Sequence, residues 1–392
     1  MKVYPKLISL CLILAIVAGL SISAPQTTFA EEGKIAKVNG VEIGTVQKDG
    51  SILLNVSKSS GDNQSILSAA LGDNKKRTVV LPKGKVPIYN AIFIGSNKTI
   101  KAKGATVYQN SPDTPILINS CTKTKYKSLK NVTINGGVWT MKKIDKPSRS
   151  TSTFRFAHAN NIKIKNARVD TNYISHALEI IACKKVLVEN CKLIAKGKQK
   201  NDIYAEPLQI DISTKATAPV IAQYGKKFVK GQTCKNITVK NCTVKGSRGI
   251  CTNKTDTEGG KWLKKHHFNV KIIGCKVTGM KTEALCLHNV AGVTVKNNKA
   301  YSKGSDYNYN IGCYLASFGN NKKTSKYANV FSKNTIKGGR NGLYIATYKG
   351  NKFGKTTIKS NKLYAKSGSS VALGVSGCTK TIIKNNKKYK WK

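Results

Sequence analysis

Two short segments bring carboxylates and a histidine together in a sequence that is otherwise poor in acid. The chain has 18 Asp and Glu residues against 68 Lys and Arg. The segments are His176-Ala-Leu-Glu-Ile180 and Glu206-Pro-Leu-Gln-Ile-Asp211. Carboxylic acids and imidazoles are the groups that most often transfer protons in acid–base catalysis. The candidate catalytic residues are therefore His176, Glu179, Glu206 and Asp211.

Two cleavage reactions fit such a cluster. In a hydrolase, two carboxylates act as acid and base, and strand geometry puts Glu179 and Asp211 roughly 8 Å apart, in the inverting range. In a lyase, a cation neutralises a uronate carboxylate while a base removes the neighbouring proton. The candidate cations are Arg155 and Arg248, and the candidate proton-transfer groups are His176, His288 and Tyr314.

Calcium is the possible cofactor for the lyase reaction. It prefers several oxygen ligands and would replace the arginine as the neutralising cation. Its ligands would be Glu179, Glu206 and Asp211. The hydrolase reaction calls for no cofactor.

A third interpretation uses the same residues without a reaction. A binding protein would hold a sugar chain on this face, with Tyr314 and Tyr344 as stacking platforms. The candidate substrate-binding residues, which serve an enzyme equally well, are Arg155, Gln209, Arg248, His288, Tyr314 and Tyr344. The competing interpretation is structural, with the charged groups pairing with each other or with lysines on a solvated sheet.

A repeated phrase indicates the elements that hold these residues. An aliphatic–polar–aliphatic triplet, then Asn or a small residue, then another apolar position recurs every 23 to 25 residues at the tightest spacing. The clear copies begin at Val132, Ile162, Val186, Ile237, Val270 and Val293. A second short strand precedes these phrases, as in Leu178-Glu-Ile180 and Leu208-Gln-Ile210. Short strands at such a period, with almost no helical periodicity, predict an all-β, right-handed parallel β-helix.

Stacked coils would place equivalent residues about 4.8 Å apart. One outward column predicted by aligning the repeats is Arg155, Glu179, Gln209, Cys251, Cys286, Tyr314 and Tyr344. The turn after each triplet should carry a ladder of amides, including Asn166, Asn190, Asn241, Asn297 and Asn385. Beside it we expect stacked small residues at Cys191, Cys242, Cys275, Asn298, Asn334, Asn361 and Asn386.

The beginning of the chain predicts secretion. Lys2 and Lys6 precede an apolar run and a polar stretch that ends at Ala30, the layout of a cleavable signal peptide. We expect a signal peptide at 1–30, an N-terminal extension at 31–59 and the β-helix at 60–392, with a capping helix near Ser60 to Leu71. No membrane span is expected in the mature protein, and the location is extracellular.

The net charge of +50 favours a polyanionic partner. Nucleic acid is not expected, because secretion separates the protein from it and no nucleic-acid-binding motif is present. An anionic polysaccharide is therefore the expected partner. The lysines could also retain the protein at an anionic cell wall. The sequence leaves the oligomeric state open.

Several segments resemble pectin-lyase-like β-helix proteins, a superfamily that includes polygalacturonase-type glycoside hydrolases and pectate lyases. The resemblance rests on the capping helix, Val79-Val-Leu-Pro-Lys-Gly84, residues 94–105 and Gly136-Gly-Val-Trp139. It implies the fold and carbohydrate chemistry. The paired-aspartate, Gly-His-Gly and Arg-Ile-Lys motifs of polygalacturonases are missing, so their catalytic residues have no counterparts here.

The sequence thus predicts a secreted, carbohydrate-active β-helix that cleaves a uronic-acid-containing polysaccharide by lyase or hydrolase chemistry. An enzyme is favoured because the acid–base cluster sits in the middle of one face. The alternative is a polysaccharide-binding or cell-surface protein without catalytic activity.

Overall fold

Each repeat, with its alternating apolar and polar residues, forms one coil of three strands. We describe a computed structural model that covers residues 31–111, 113–142, 151–171, 176–195, 205–253, 257–304, 310–366, 368 and 370–391. Three largely parallel sheets, here called A, B and C, form the sides of a right-handed β-helix. The predicted fold class is therefore confirmed, whereas the predicted signal peptide lies outside the described residues.

Sheet A has 15 strands. They are Ile35–Val38, Val41–Val46, Ile52–Leu54, Arg77–Val80, Lys98–Lys101, Leu129–Asn135, Ala159–Lys165, Lys184–Glu189, Lys235–Lys240, His267–Ile273, Val290–Ala291, Thr294–Lys296, Asn329–Ser332, Thr356–Lys359 and Thr381–Lys384. The first three pair antiparallel to each other, and Ile52–Leu54 then pairs parallel with Arg77–Val80. The expected N-terminal extension therefore contributes strands to the same sheet.

Sheets B and C have 11 and 10 strands. Sheet B contains Gly84–Ile88, Ala105–Gln109, Val138–Met141, Arg168–Thr171, Lys192–Ala195, Thr243–Gly246, Lys276–Gly279, Lys299–Ser302, Thr335–Lys337, Lys362–Lys366 and Lys387–Trp391. Sheet C contains Ile92–Phe93, Leu117–Ile118, Phe154–Ala157, Leu178–Ile181, Leu208–Asp211, Ile250–Thr252, Leu285–His288, Ile311–Ser317, Asn341–Thr347 and Val371–Val375.

The remaining elements are short. The α-helix Asn63–Gly72 buries Ile66, Leu67, Ala70 and Leu71 against the first coils, so the predicted capping helix is confirmed. Two small hairpins pair Ser213–Thr214 with Lys230–Gln232 and Thr257–Glu258 with Lys261–Trp262. Three 3₁₀-helices cover Pro219–Tyr224, Lys226–Val229 and Lys322–Lys326. No helix in the described ranges is long and apolar enough to span a bilayer.

The inward side chains of the three sheets form one continuous core. Ile162, Val186, Ile237 and Val270 lie in register on successive coils of sheet A and are all buried. Burying an aliphatic side chain of this size contributes about 1.5–3 kcal/mol. The stacking of the coils is therefore stabilised mainly by this core, and the outward positions are available for function.

Amide ladders hold the turns between sheets A and B. Asn190 donates to Asn166, and Asn166 donates to Asn135. Asn166, Asn190 and Asn241 all have φ near +53° (53° to 54°), a left-handed conformation that asparagine tolerates well. The predicted ladder is confirmed between Asn166 and Asn190 and extends to Asn135.

The neighbouring small residues form a second, buried ladder. The backbone N–H of Cys191 faces the sulfur of Cys242, that of Cys242 faces Cys275, and that of Cys275 donates to Asn298. The series continues through Asn334, Asn361 and Asn386. The described cysteines are free thiols, which agrees with their predicted role as small buried residues.

Candidate functional site

The first outward column of sheet C is the one that the repeats predict. Arg155 pairs with Glu179, Glu179 with Gln209, and Gln209 with Cys251. Beyond Cys251 the column continues through Cys286, Tyr314 and Tyr344. Residues far apart in the chain are thus neighbours on one face, and the candidate residues lie along it.

Glu179 is a buried carboxylate held by two donors. Arg155 Nε and Ser152 Oγ each donate to Glu179 Oε2 at 2.6 Å, and Glu179 is only 5% exposed. Burial alone would raise the pKa of Glu179. The charges of Arg155 and His176, together with these hydrogen bonds, outweigh burial and hold that pKa below its ordinary value. Glu179 is therefore ionised near neutral pH and is a poor proton donor.

A second buried cluster lies at the entrance to the same strands. Arg248 Nη1 donates to Glu206 Oε1 at 3.1 Å, and Arg248 Nε donates to Glu283 Oε2 at 2.9 Å. His176 Nδ1 lies 3.3 Å from Glu206 Oε2. Burial would lower the pKa of Arg248. The neighbouring groups Cys286, Cys251, Glu283 and Glu206 outweigh burial and raise that pKa well above its ordinary value. Arg248 is thus a permanent cation shared between two carboxylates.

Asp211 lies one coil and two residues from Glu179, as the repeats predict. Its register partner is Ile181, whereas Glu179 faces Gln209. Gln209 Nε2 donates to Asp211 Oδ1 at 2.9 Å, and Asp211 is 1% exposed. The two carboxylates proposed as acid and base are therefore both buried, and each accepts a side-chain hydrogen bond.

The sequence offered calcium, as an alternative to an arginine, as a possible cation at this cluster. Among the described residues, no group of three or more His, Cys, Asp and Glu is placed to hold a metal ion. Arg155 binds Glu179 and Arg248 binds Glu206, so guanidinium groups stand where the cation was expected. The sequence predicted that these charges would be close and offered their pairing with each other as one interpretation, and the structure shows which arginine pairs with which carboxylate.

Farther along the column the face becomes aromatic. We call this surface the aromatic shelf: Trp262, His288, Tyr314, Phe318, Tyr344 and Tyr348. His288, Tyr314 and Tyr344 were predicted as binding residues, and the structure brings them together. Trp262, Phe318 and Tyr348 were not predicted.

The three added residues form a stack of rings beside the predicted ones. Trp262 and Phe318 lie 5.1 Å apart with planes 10° from parallel, and Phe318 and Tyr348 lie 4.9 Å apart at 5°. Trp262 is 39% exposed and Tyr348 is 38% exposed. Phe318 and Tyr348 follow the paired residues Ser317 and Thr347, so extending the repeat alignment by one position would have found them.

The shelf is linked to the first column by the tyrosines. Tyr314 and Tyr344 rings are 5.4 Å apart, and the Tyr314 and Tyr348 hydroxyls are 2.8 Å apart. Burial raises the pKa of Tyr314, and its hydrogen bond with Tyr348 raises it further. The Tyr314 hydroxyl therefore stays protonated. It can stack on a ligand or hydrogen-bond to it, but it is poorly suited to act as a base.

Comparison with known proteins agrees with the fold. No family model matches the chain. A curated relative, plasmin and fibronectin-binding protein A of Streptococcus pneumoniae, is 25% identical over 174 residues, which is 40% of this chain and 23% of that protein. The chain thus matches about a quarter of the relative's length.

Solved structures are similar to this chain over more of its length than the curated relative is. The S. pneumoniae surface protein and adhesin PfbA superposes with a TM-score of 0.54 and 16% identity, covering 85% of this chain and 94% of that one. A second crystal structure of PfbA gives a TM-score of 0.50 at 15% identity, covering 85% and 90%. The chain has the pectin-lyase-like parallel β-helix fold that the sequence resemblance implied.

Proposed function

We propose that this protein is an extracellular β-helix that binds an acidic polysaccharide on the aromatic shelf without cleaving it. The observation that carries the proposal is the shelf itself, in which two exposed rings and four partly buried ones are in continuous contact. Aromatic residues make up only 7% of the chain, so their concentration on one face is unusual. Flat rings that are apolar on their faces and polar at their edges suit the faces and hydroxyls of sugars.

Positive charge beside the rings favours an acidic sugar. The exposed residues Lys261 and Lys349 adjoin Trp262 and Tyr348 in sequence. The Arg340 guanidinium lies 5.9 Å from the centre of the Tyr344 ring. A uronate could therefore stack its ring on the shelf while its carboxylate pairs with one of these cations.

The state of the carboxylates favours binding over cleavage. An inverting hydrolase needs one carboxylic acid with a raised pKa as its proton donor. The Glu179 pKa is instead held low by its arginine and histidine neighbours. Glu206 and Glu283 share the Arg248 cation. We therefore assign this cluster a structural role, and Glu179 lies several coils before the tyrosines of the aromatic shelf on the same face of sheet C. The similar S. pneumoniae protein, plasmin and fibronectin-binding protein A, is a binding protein, which is in line with a binding role.

The test is a binding titration with variants of the exposed rings. We expect wild-type protein to bind polygalacturonate in low salt and to bind neutral dextran far more weakly. Trp262→Ala combined with Tyr348→Ala should weaken polygalacturonate binding at the shelf by at least about tenfold, since each tenfold loss of affinity corresponds to ~1.4 kcal/mol. Calorimetric titration measures both affinities.

The control is Tyr89→Ala, because Tyr89 is an aromatic residue on another part of the surface and is 56% exposed. It should bind as the wild type does. Equal affinities for the wild type and the Trp262 and Tyr348 double variant would contradict the shelf as the binding site. A comparable loss in the Tyr89 variant would show that the effect is not specific to the shelf.

A further inference from the structure

A second surface, on the outer face of sheet B, also has the form of a binding site. Three hollows follow one another along this sheet, with volumes of about 720, 400 and 760 Å³. Arg168 lines both the first and the second hollow. We call this surface the basic trough. Its basic lining residues are Lys101, Lys103, Arg168, Lys192, Lys245, Lys281, Lys303, Lys337 and Lys390.

Among the described residues, no acidic residue lines the trough, and the nearest carboxylate is Asp170, which pairs with Arg168 on the same strand. Like charges also face each other directly across its strands, where Lys276 pairs with Lys299 and Lys362 pairs with Lys387 in the parallel register. All four of these lysines are exposed. Like charges at opposed positions of a sheet destabilise it. A bound polyanion would remove this repulsion, so the free surface is complementary to a chain of negative charges.

Hydroxyls, amides and rings narrow the choice of polyanion. Asn135 and Asn166 line the first hollow, and Ser302 and Thr335 line the third. The third hollow also contains four aromatic residues, Tyr301, Tyr364, Tyr389 and Trp391. These groups suit a chain that carries hydroxyls and apolar ring faces in addition to charge.

Among the described lining residues, the aromatic ones lie at the C-terminal end of the trough. Tyr364 and Tyr389 stack at 4.6 Å, and the Lys337 ammonium lies 4.1 Å above the Trp391 ring. A single-stranded nucleic acid needs rings along its length on which successive bases can stack. An acidic glycan needs cations along its length to pair with its carboxylates. It needs aromatic side chains only where one of its sugars stacks. The trough therefore favours a glycan.

We infer that the basic trough is a second binding site for a linear acidic glycan, which lies along the helix axis and pairs its carboxylates with the lysines. Sheets B and C are different sides of the β-helix, so one molecule would hold two glycan chains. The trough stands on its own observations, whereas the linking of two chains also rests on the proposed function. Such a protein would cross-link an acidic polysaccharide network.

The experiment counts the sites with an oligogalacturonate of defined length. Calorimetry should give two molecules bound per wild-type protein. Replacing Lys192, Lys245, Lys303 and Lys337 by Gln should remove one of them, and Trp262→Ala with Tyr348→Ala should remove the other. Mixing wild-type protein with long polygalacturonate should also raise turbidity at least severalfold above the level that either variant gives.

The control replaces four exposed lysines of sheet A by Gln, namely Lys130, Lys163, Lys235 and Lys271. This control lowers the net charge by the same amount as the sheet B variant. Because its lysines lie outside both proposed sites, it should still bind two molecules. An equal loss in this control would overturn the trough, because general charge would then explain the binding. Single-stranded DNA that binds the trough as tightly as the oligogalacturonate would overturn the glycan assignment.

The two proposals fail in different ways. One site in the wild type that is lost only in the shelf variant would reject the trough and keep the proposed function. One site that is lost only in the sheet B variant would reject the shelf and keep the trough. The lysines changed in sheet B are surface residues, and circular dichroism would check that the variant remains folded.

Discussion

At the scale of single residues, the carboxylate of Glu179 on sheet C is held by Arg155 and Ser152, which both donate to one of its oxygens. The alignment of repeats placed Arg155, Glu179 and Gln209 in one column, and the strand register confirms it. The repeats could not show that Arg155 and Ser152 would both bind one oxygen of Glu179, because this depends on side-chain conformation. The sequence predicted the cluster as catalytic, with paired structural charges as the alternative, and the structure shows that Arg155 and Glu179 form an ion pair.

A prediction on pH follows from Glu179. Its pKa is lower in the folded protein than in the unfolded chain, so the unfolded state takes up the proton first as pH falls. The stability that Glu179 provides is thus present above its unfolded pKa and is lost as pH falls through its folded pKa. Glu179→Gln should lower the free energy of unfolding at neutral pH by about 3 kcal/mol, because it leaves the partly buried Arg155 without its partner. Denaturant unfolding at neutral and acidic pH measures this difference.

The difference between the wild type and Glu179→Gln should shrink in acid, where the wild-type carboxylate also becomes neutral. The control is Glu189→Gln, which removes a carboxylate that pairs with Lys165 and Lys240 on the outside of sheet A. Solvent-exposed pairs contribute little, so this variant should remain close to the wild type. A Glu179→Gln variant as stable as the wild type at neutral pH would contradict the account of the ion pair.

At the scale of elements, the coils are held in register by ladders as well as by the core. Asn334 is buried and makes several of the bonds that join three coils. Its side chain donates to Val295 O at 2.8 Å and to Asn361 Oδ1 at 2.8 Å, and it accepts from the Asn298 backbone at 2.9 Å. These interactions were predictable because the turn has the same length in successive repeats.

The buried ladder predicts a large effect of a small change. Asn334→Ala removes several hydrogen bonds and leaves buried partners on both neighbouring coils unsatisfied. We expect the free energy of unfolding to fall by about 2–4 kcal/mol, since each unsatisfied buried group costs ~1–3 kcal/mol. Guanidinium unfolding should show this as a lower midpoint. Asn320→Ala, at an exposed loop position, is the control and should leave the midpoint unchanged. Equal midpoints for both variants would refute the role of the ladder.

Loops mark the limit of prediction at this scale. Trp262 reaches the shelf from a hairpin between a strand of sheet C and the next strand of sheet A. The preceding coil has a hairpin at the same place, but it has a different length and sequence. A repeat alignment contains no information on where such an insertion folds. The shelf was therefore only half predicted, with His288, Tyr314 and Tyr344 found from the strands and Trp262 found only from the structure.

At the scale of the whole molecule, the β-helix separates two kinds of surface. Sheet C carries buried ion pairs and the aromatic shelf, and sheet B carries the basic trough. The charge of +50 was evident from composition, and it correctly indicated excess lysine on the surface. The composition could not show that lysines concentrate along sheet B, where no carboxylate is among the described lining residues. This became clear only from the register of the strands. Because exposed charges are screened by salt, binding at both surfaces should weaken as ionic strength rises.

The central claim is that this protein binds an acidic polysaccharide and leaves it intact. The most direct measurement is the chain length of polygalacturonate, determined by size-exclusion chromatography in high salt after prolonged incubation with saturating protein. The account predicts that the polymer binds in low salt and is recovered at its original length. Shortened chains whose formation stops in Glu179→Gln or Asp211→Asn would contradict the account and show that the carboxylates of sheet C are catalytic.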